Sequence, residues 1–476
     1  MNKKLIYMSL LSVSVLLGSC KEEFLEQQPY DAVPVGSAIT TPEELQAAVN
    51  GMYASLRMST SLSSVIQEQS FARNIPVLGD LMADNVYISS LNSGRYANFN
   101  TYSVTVSSGE ASQIWRALYV QILRANTVIN AGLSTNSPTV DQLKGEAYAV
   151  RALGYFELVK HFATPYTVNP EAPGVPIVTV FDQNLSPSRN TVAQVYAQIH
   201  ADLDEAYRLM TVSKNSSYFT KYAAKALQAR AYLFMGEGYY DEARDAALDV
   251  VNNGGFSLVP ESDYVAYWQN PNPVTNKVET IFEISSDLVD NAGTNSLAYI
   301  YDQSGYGDLL VTSELYNLYS ANDVRRDVIG VGKRGTEDPA YFVNKYPNTS
   351  STVSRDNIKV IRYAEVLLTL AEAYARLDND VQALIYLNRV ATARGAAPYV
   401  SVGDQLIDDI ITERRKELAF EGHRFWDLTR LNRPIVRTSQ HPANARLIEV
   451  GDYRRILPIP QGELDANPNI APNPEY

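Results

Sequence analysis

The chain has 476 residues, of which 45% are hydrophobic and 20% charged, a composition close to that of globular proteins. Its formal net charge of -13 provides no broad positive field that could gather phosphates, so we expect no nucleic-acid partner. The single cysteine, Cys20, excludes an intrachain disulfide and any zinc or iron–sulfur site built from several cysteines.

The N-terminal segment has the pattern of an export signal. Lys3 and Lys4 precede an apolar stretch over 5–17, which is too short to span a bilayer but has the length of a secretory signal. The small residues before Cys20 resemble the lipobox of bacterial lipoproteins. We therefore predict that residues 1–19 are a signal peptide and that Cys20 becomes the lipidated first residue, which tethers a soluble body to a membrane. The alternative is an ordinary signal peptide that leaves a free thiol.

Helices dominate the rest of the predicted structure, because apolar residues recur at helical spacing from Glu110 onward. Most segments come in pairs with short connections, and they run over 191–210, 221–235, 239–252, 362–377, 381–394 and 406–431. The tetratricopeptide spacing of small and large residues is matched by Leu370, Ala371, Tyr374, Ala383 and Leu387, with a looser copy at Ala231, Tyr232, Gly236 and Ala243. We predict a mainly α fold built from tetratricopeptide-type helix pairs, with Tyr232 and Tyr374 in the core.

Two long irregular regions, 74–108 and 256–355, interrupt these pairs and are rich in Asn, Gly, Ser, Pro and Tyr. Loops of such length usually have a function or are disordered. They are therefore the first place to look for a ligand site.

Three carboxylates on one predicted helix, Glu413, Glu417 and Glu421, could suggest glycoside hydrolysis. A general acid needs a raised pKa, whereas the neighbouring Arg414 and Arg424 favour ionised carboxylates. We therefore predict a structural ion network of Arg414, Glu417, Glu421 and Arg424, and no catalytic residue.

Other chemical motifs are absent or incomplete. Gly330–Gly335 satisfies the dinucleotide-binding spacing, but Pro339 follows where a helix should open, so we predict a flexible loop. The four histidines, His161, His200, His423 and His441, lack any zinc-binding spacing. We predict no metal site, no cofactor and no enzymatic activity.

Several ordered sequence blocks together resemble the SusD/RagB family of outer-membrane nutrient-binding lipoproteins of Bacteroidetes. The resemblance begins with FLEQQP and TPEELQAAVNGMYASL and continues through GEAYAVRALGYFELVKHF. The most specific blocks lie in the C-terminal third, ITERRKELAFEGHRFWDLTRL and LPIPQGELDANPNIAPNPEY.

This resemblance implies a SusD-like fold with an N-terminal region over 20–215 and a RagB/SusD C-terminal region over 216–476. It also implies a lipid-anchored protein of the outer membrane that covers a SusC-like TonB-dependent transporter and captures nutrient for import. Lys21, Glu22 and Glu23 resemble the signal that sends such lipoproteins to the cell surface.

The ligand site is predicted in the irregular regions, because sugars present flat C–H faces and hydroxyl groups that suit aromatic rings beside polar side chains. The predicted ligand-binding residues are Tyr87, Arg95, Tyr96, Asn98, Phe99, Tyr299, Tyr301 and Tyr306. The alternative for any one of them is that it packs a loop onto the helices. A glycan is the expected nutrient, and the alternatives are a peptide nutrient or a tetratricopeptide adaptor that binds only protein.

Overall fold

The computed structural model describes residues 39–57, 59–61, 64–68, 70–134, 137–182, 184–349 and 355–476. The predicted signal peptide and Cys20 lie outside these residues. Within them, no helix is both long and apolar enough to cross a membrane.

Helices account for about 51% of the structure, which confirms the mainly α prediction. In the N-terminal half they are α1 (Pro42–Arg57), α2 (Ile75–Leu81), α3 (Ala97–Asn100), α4 (Gly109–Ile129), α5 (Pro138–Phe162), α6 (Val192–Leu209), α7 (Lys221–Met235) and α8 (Tyr240–Asn253). The later ones are α9 (Tyr264–Gln269), α10 (Leu297–Tyr301), α11 (Ser313–Leu318), α12 (Tyr363–Arg376), α13 (Asp380–Ala393), α14 (Gly403–Glu417), α15 (Arg424–Arg430) and α16 (Gln461–Ala466).

Local signals set the start of several helices. At α6, the hydroxyl of Thr191 accepts a hydrogen bond from the backbone N–H of Gln194 at 3.2 Å, and the Gln194 side chain accepts one from the Thr191 N–H at 3.0 Å. This reciprocal capping box satisfies two N–H groups that the first helical turn leaves without partners. The helix therefore begins within one residue of its predicted start.

The predicted pairs α7–α8 and α12–α13 both form and pack against one another. Tyr232 and Tyr374, which are predicted in the core, pack against its buried residues but are only half-buried themselves. Tyr232 stacks on His200 with ring centroids 3.8 Å apart, and Tyr374 lies parallel to Tyr386 at 5.8 Å. Each ring therefore stacks on a neighbouring ring at the boundary between the buried residues and the surface.

The predicted helix over 406–431 is two helices, α14 and α15, because the chain turns sharply between them. Phe420 and Gly422 there have φ angles of 70° and 83°. Gly422 packs against α2 so closely that a Cβ on Gly79 would lie 2.0 Å from the Gly422 carbonyl oxygen. The break therefore allows two glycines to bring distant segments into contact.

Strands are short and pair antiparallel in twos. They are β1 (Ser59–Ser61), β2 (Ser64–Glu68), β3 (Val86–Ile88), β4 (Thr280–Ile284), β5 (Leu309–Val311), β6 (Ile329–Arg334), β7 (Glu337–Val343), β8 (Ile358–Arg362), β9 (Ile435–Val436) and β10 (Leu447–Ile448). The pairs are β1–β2, β3–β5, β4–β8, β6–β7 and β9–β10. The pair β3–β5 joins the two regions that the sequence marks as irregular.

The segment 330–334 belongs to strand β6, and Gly335 lies in the turn that follows, so the prediction of a flexible loop is wrong here. The glycines of β6 make room for an aromatic ring, since a Cβ on Gly332 would lie 2.7 Å from the ring of Phe342 on β7. The glycines that imitate a dinucleotide motif are therefore required by packing within a β-hairpin.

Candidate functional site

The predicted carboxylate row lies in the interior as a buried ion network. Glu417 accepts from Arg362 at 2.8 Å, Arg394 at 3.0 Å and Arg325 at 3.1 Å, and all four side chains are at most 1% exposed. Burial alone would raise the pKa of Glu417, but Arg394, Arg362 and Arg325 hold it well below the usual value. An ionised carboxylate enclosed by three arginines cannot act as a general acid at neutral pH.

The network is structural, as predicted, but two of its predicted partners are wrong. Arg414 pairs with Asp427 at 3.2 Å, and Arg424 pairs with Asp84 at 2.9 Å. Arg424 lies on a different helix, α15, and Arg414 on α14 pairs with Asp427 rather than with Glu417, so proximity in sequence does not predict these pairs.

The four histidines are separated in the fold. Burial lowers the pKa of His161 well below its usual value and lowers the pKa of His200, His423 and His441 to about 4. Each is therefore neutral at pH 7. Among the described residues, no group of three His, Cys, Asp or Glu side chains is arranged to hold a metal ion.

A junction of three loops brings distant parts of the chain together at the surface. Glu337, at the tip of the β6–β7 hairpin, accepts hydrogen bonds from the Ser90 backbone at 2.7 Å and from its hydroxyl at 2.8 Å. Arg334, on the same tip, donates to the carbonyl oxygens of Gln303 at 3.0 Å and Tyr306 at 2.6 Å. The hairpin tip thus holds the loop after β3 against the loop before β5.

Arg95, Tyr299, Tyr306 and Arg334 meet at this junction and form what we call the Arg95–Tyr306 surface. The Arg95 guanidinium lies 3.5 Å from the Tyr306 ring centroid and donates to Asp308 at 3.2 Å. The ring of Tyr299 meets that of Tyr306 edge-on, with centroids 4.8 Å apart. All four side chains are partly exposed.

This surface combines aromatic faces with fixed hydrogen-bond donors. The Asp308 carboxylate is buried and holds Arg95 in its stacked position, so the guanidinium is ordered before any ligand arrives. Gly305 leaves room for the Tyr299 ring, since a Cβ on Gly305 would lie 3.1 Å from that ring. Rings and ordered guanidinium groups together can contact the apolar faces and the hydroxyl groups of a sugar.

Four of the predicted ligand-binding residues are buried, namely Tyr87, Tyr96, Phe99 and Tyr301. Tyr96 donates to Asn74 at 2.6 Å, and burial raises its pKa to about 12. Tyr301 lies parallel to Tyr346 at 6.3 Å. Tyr87 packs against Leu310 of β5 and Ala340 of β7. All four rings therefore take part in packing, which is the alternative that the sequence left open.

The eighth predicted residue, Asn98, is half-buried and faces its own loop. Its amide donates to the Ser108 hydroxyl at 3.1 Å, and its carbonyl oxygen accepts from the Phe99 N–H at 3.1 Å. Arg95, Tyr299 and Tyr306 are therefore the predicted ligand-binding residues that the fold gathers at one exposed surface.

Sequence reasoning missed Arg334 and Glu337, because the segment around Gly335 is predicted as a flexible loop. It missed Ser90 because the contact of Ser90 with Glu337 joins residues far apart in the chain. One signal was available. Gly335 has a φ angle of 55°, as a tight turn requires, and it lies between two short runs that pair as strands.

Comparison with known proteins gives a consistent result. A family model described as "SusD family" matches residues 331–476, and one described as "Starch-binding associating with outer membrane" matches residues 23–233. A solved SusD superfamily protein from Bacteroides vulgatus is 30% identical with a TM-score of 0.83, over 92% of this chain and 100% of that chain. Another, from Bacteroides thetaiotaomicron, is 30% identical with a TM-score of 0.81 over the same shares.

A curated relative, SusD-like protein P2 of Formosa agariphila, is 27% identical over 94% of this chain and 95% of its own length. The similarity therefore extends over nearly the whole length of each of these proteins.

Proposed function

The chain belongs to the SusD family, and from that premise we propose that it binds a nutrient glycan at the cell surface and delivers it to a SusC-like TonB-dependent transporter. The observation that carries the proposal is the Arg95–Tyr306 surface. There, partly exposed tyrosine rings and ordered arginine donors lie side by side. The description of the N-terminal family model as starch-binding supports a glycan as the ligand.

The chemistry of the surface suits a neutral oligosaccharide. The C–H faces of a sugar would pack on the rings of Tyr299 and Tyr306, and its hydroxyl oxygens would accept from the guanidinium groups of Arg95 and Arg334. Asp308 already neutralises much of the Arg95 charge at 3.2 Å, so the surface does not need an anionic ligand. The enclosure of the Glu417 carboxylate by arginines supports a binding role without catalysis.

Calorimetry with a panel of neutral glycans and a pool of peptides tests this function. We expect a glycan to bind and the peptides not to bind. The change Tyr306→Ala should weaken glycan binding about tenfold, which corresponds to ~1.4 kcal/mol. The matched control is Tyr386→Ala on the α12–α13 pair, where a tyrosine is also stacked on a ring, and there affinity should not change.

Three outcomes would contradict the proposal. Binding of peptides alone would favour peptide capture. Unchanged affinity in Tyr306→Ala, with the fold intact by circular dichroism, would place the site elsewhere. Release of reducing sugar by the purified protein would make it an enzyme.

The membrane tether is proposed from Cys20, which lies outside the described residues. The change Cys20→Ala should move the protein from the membrane fraction to the soluble fraction, because acyl chains would no longer hold it. Continued sedimentation with membranes would contradict a lipid anchor at this residue.

A further inference from the structure

A cleft opens between the segment 210–222 and the segment 274–281, and it shares no lining residue with the Arg95–Tyr306 surface. Its volume is about 320 Å³. Three lysines line it, Lys214, Lys221 and Lys277, and none of the described residues that line it is acidic. We call it the lysine cleft.

The positive lining is a local exception in a chain with a net charge of -13. Lys214 is balanced by the buried Glu146, so Lys221 and Lys277 supply the positive charge that a bound ligand meets. Distant charges matter less, since at physiological ionic strength charges more than about 8 Å apart are largely screened. Helix α7 also begins in the cleft at Lys221, and the positive end of its dipole adds to the same sign.

The three lysines differ in how free they are to bind. Lys214 forms an ion pair with the buried Glu146 at 2.5 Å and is held by it. Lys277 donates to the Gly254 carbonyl at 2.8 Å, which leaves two of its three donors. Lys221 lies 4.2 Å from the Tyr207 ring centroid, a contact that uses its charge but none of its N–H groups. Lys221 and Lys277 can therefore donate to an anionic ligand.

The rest of the lining suits a sugar better than a bare anion. The rings of Tyr222 and Phe256 line the cleft, together with uncharged hydroxyl and amide side chains such as Thr220 and Asn215. The volume lies at the lower end of the range for small-molecule sites, which fits a single small unit.

We propose that the lysine cleft binds one acidic sugar unit, a saccharide residue that carries a carboxylate or a sulfate group. The choice of a saccharide over other anions rests on the proposed function. The charge of the ligand rests only on the lining of the cleft.

Ligand-observed NMR and calorimetry on the purified protein test the cleft, with glucuronic acid, glucose 6-sulfate, glucose and inorganic sulfate as probes. We expect at least one acidic sugar to bind and to bind less tightly as salt rises, and glucose not to bind. The changes Lys221→Gln and Lys277→Gln should each weaken binding about tenfold, the effect of losing one hydrogen bond to a charged group. The control Lys333→Gln removes the same charge on the β6–β7 hairpin, where the side chain is 66% exposed, and should leave affinity unchanged.

The proposal is overturned if neither acidic sugar binds, if inorganic sulfate binds as tightly as the acidic sugars, or if Lys221→Gln and Lys277→Gln both bind like the parent protein. Its failure is distinct from that of the proposed function. A protein that binds a neutral glycan but no acidic sugar refutes the lysine cleft alone. A protein that binds glucuronic acid but no neutral glycan refutes the Arg95–Tyr306 surface alone.

Discussion

At the scale of single residues, environment sets the charge state more strongly than residue type. Asp80 and Asp84 lie four residues apart and are both buried. Burial raises the pKa of Asp80 to about 6, although Asn85 and the Gly422 N–H donate to it. Burial acts on Asp84 in the same direction, but Arg424 and Arg415 lower its pKa to about 2. The arginine partners of Asp84 therefore keep it ionised at an acidic pH at which Asp80 is protonated.

These two carboxylates should affect stability in opposite pH windows. The folded state binds the Asp80 proton more tightly than the unfolded chain, so its contribution to the free energy of unfolding is complete below about pH 4 and is lost as pH rises through 6. The contribution of Asp84 is present above about pH 4 and is lost as pH falls through 2. Carboxyl-carbon NMR should give a midpoint near 6 for Asp80, and a midpoint near 4 would contradict the dominant effect of its burial.

The ion network around Glu417 gives a second prediction at this scale. The change Glu417→Gln leaves Arg325, Arg362 and Arg394 buried with one charge fewer to balance them, so the free energy of unfolding should fall by about 3–5 kcal/mol. Asp338→Asn is the control, because its pair with Lys333 is exposed, and should change that free energy by less than about 0.5 kcal/mol. If denaturant titrations gave the same loss of stability for Glu417→Gln and Asp338→Asn, burial would not determine how much an ion pair contributes to stability in this protein.

At the scale of elements, close approaches between glycines position the helices. Helix α2 meets the turn between α14 and α15 at Gly79 and Gly422, where no side chain fits. The change Gly79→Ala places a methyl group into the Gly422 backbone and should lower the free energy of unfolding by about 3 kcal/mol. Gly51→Ala on α1, where a Cβ meets nothing within 4 Å, should raise it by up to about 1 kcal/mol through helix propensity.

Thermal or denaturant unfolding of the two alanine variants measures this difference. A Gly79→Ala protein as stable as the parent would mean that the helix and the turn separate easily. That result would weaken the explanation given for the break between α14 and α15.

At the scale of the whole molecule, the sequence predicted what depends on local pattern. The helix pairs follow from periodicity, and the start of α6 follows from Thr191 and Gln194. Arg95 contacts Tyr306 although the two residues are far apart in the chain, and no local pattern encodes such a contact. The burial of Tyr96 likewise depends on the folded chain around it. The packing of Phe342 over glycines is likewise visible only when β6 and β7 pair. The predicted division between 20–215 and 216–476 stays a prediction.

The most direct test of the account is a crystal structure with a neutral oligosaccharide selected from the glycan panel. The account predicts a sugar ring in contact with Tyr299 or Tyr306, with its hydroxyl groups within hydrogen-bond distance of Arg95 or Arg334. A sugar bound only elsewhere, for example against the α12–α13 pair, would contradict it.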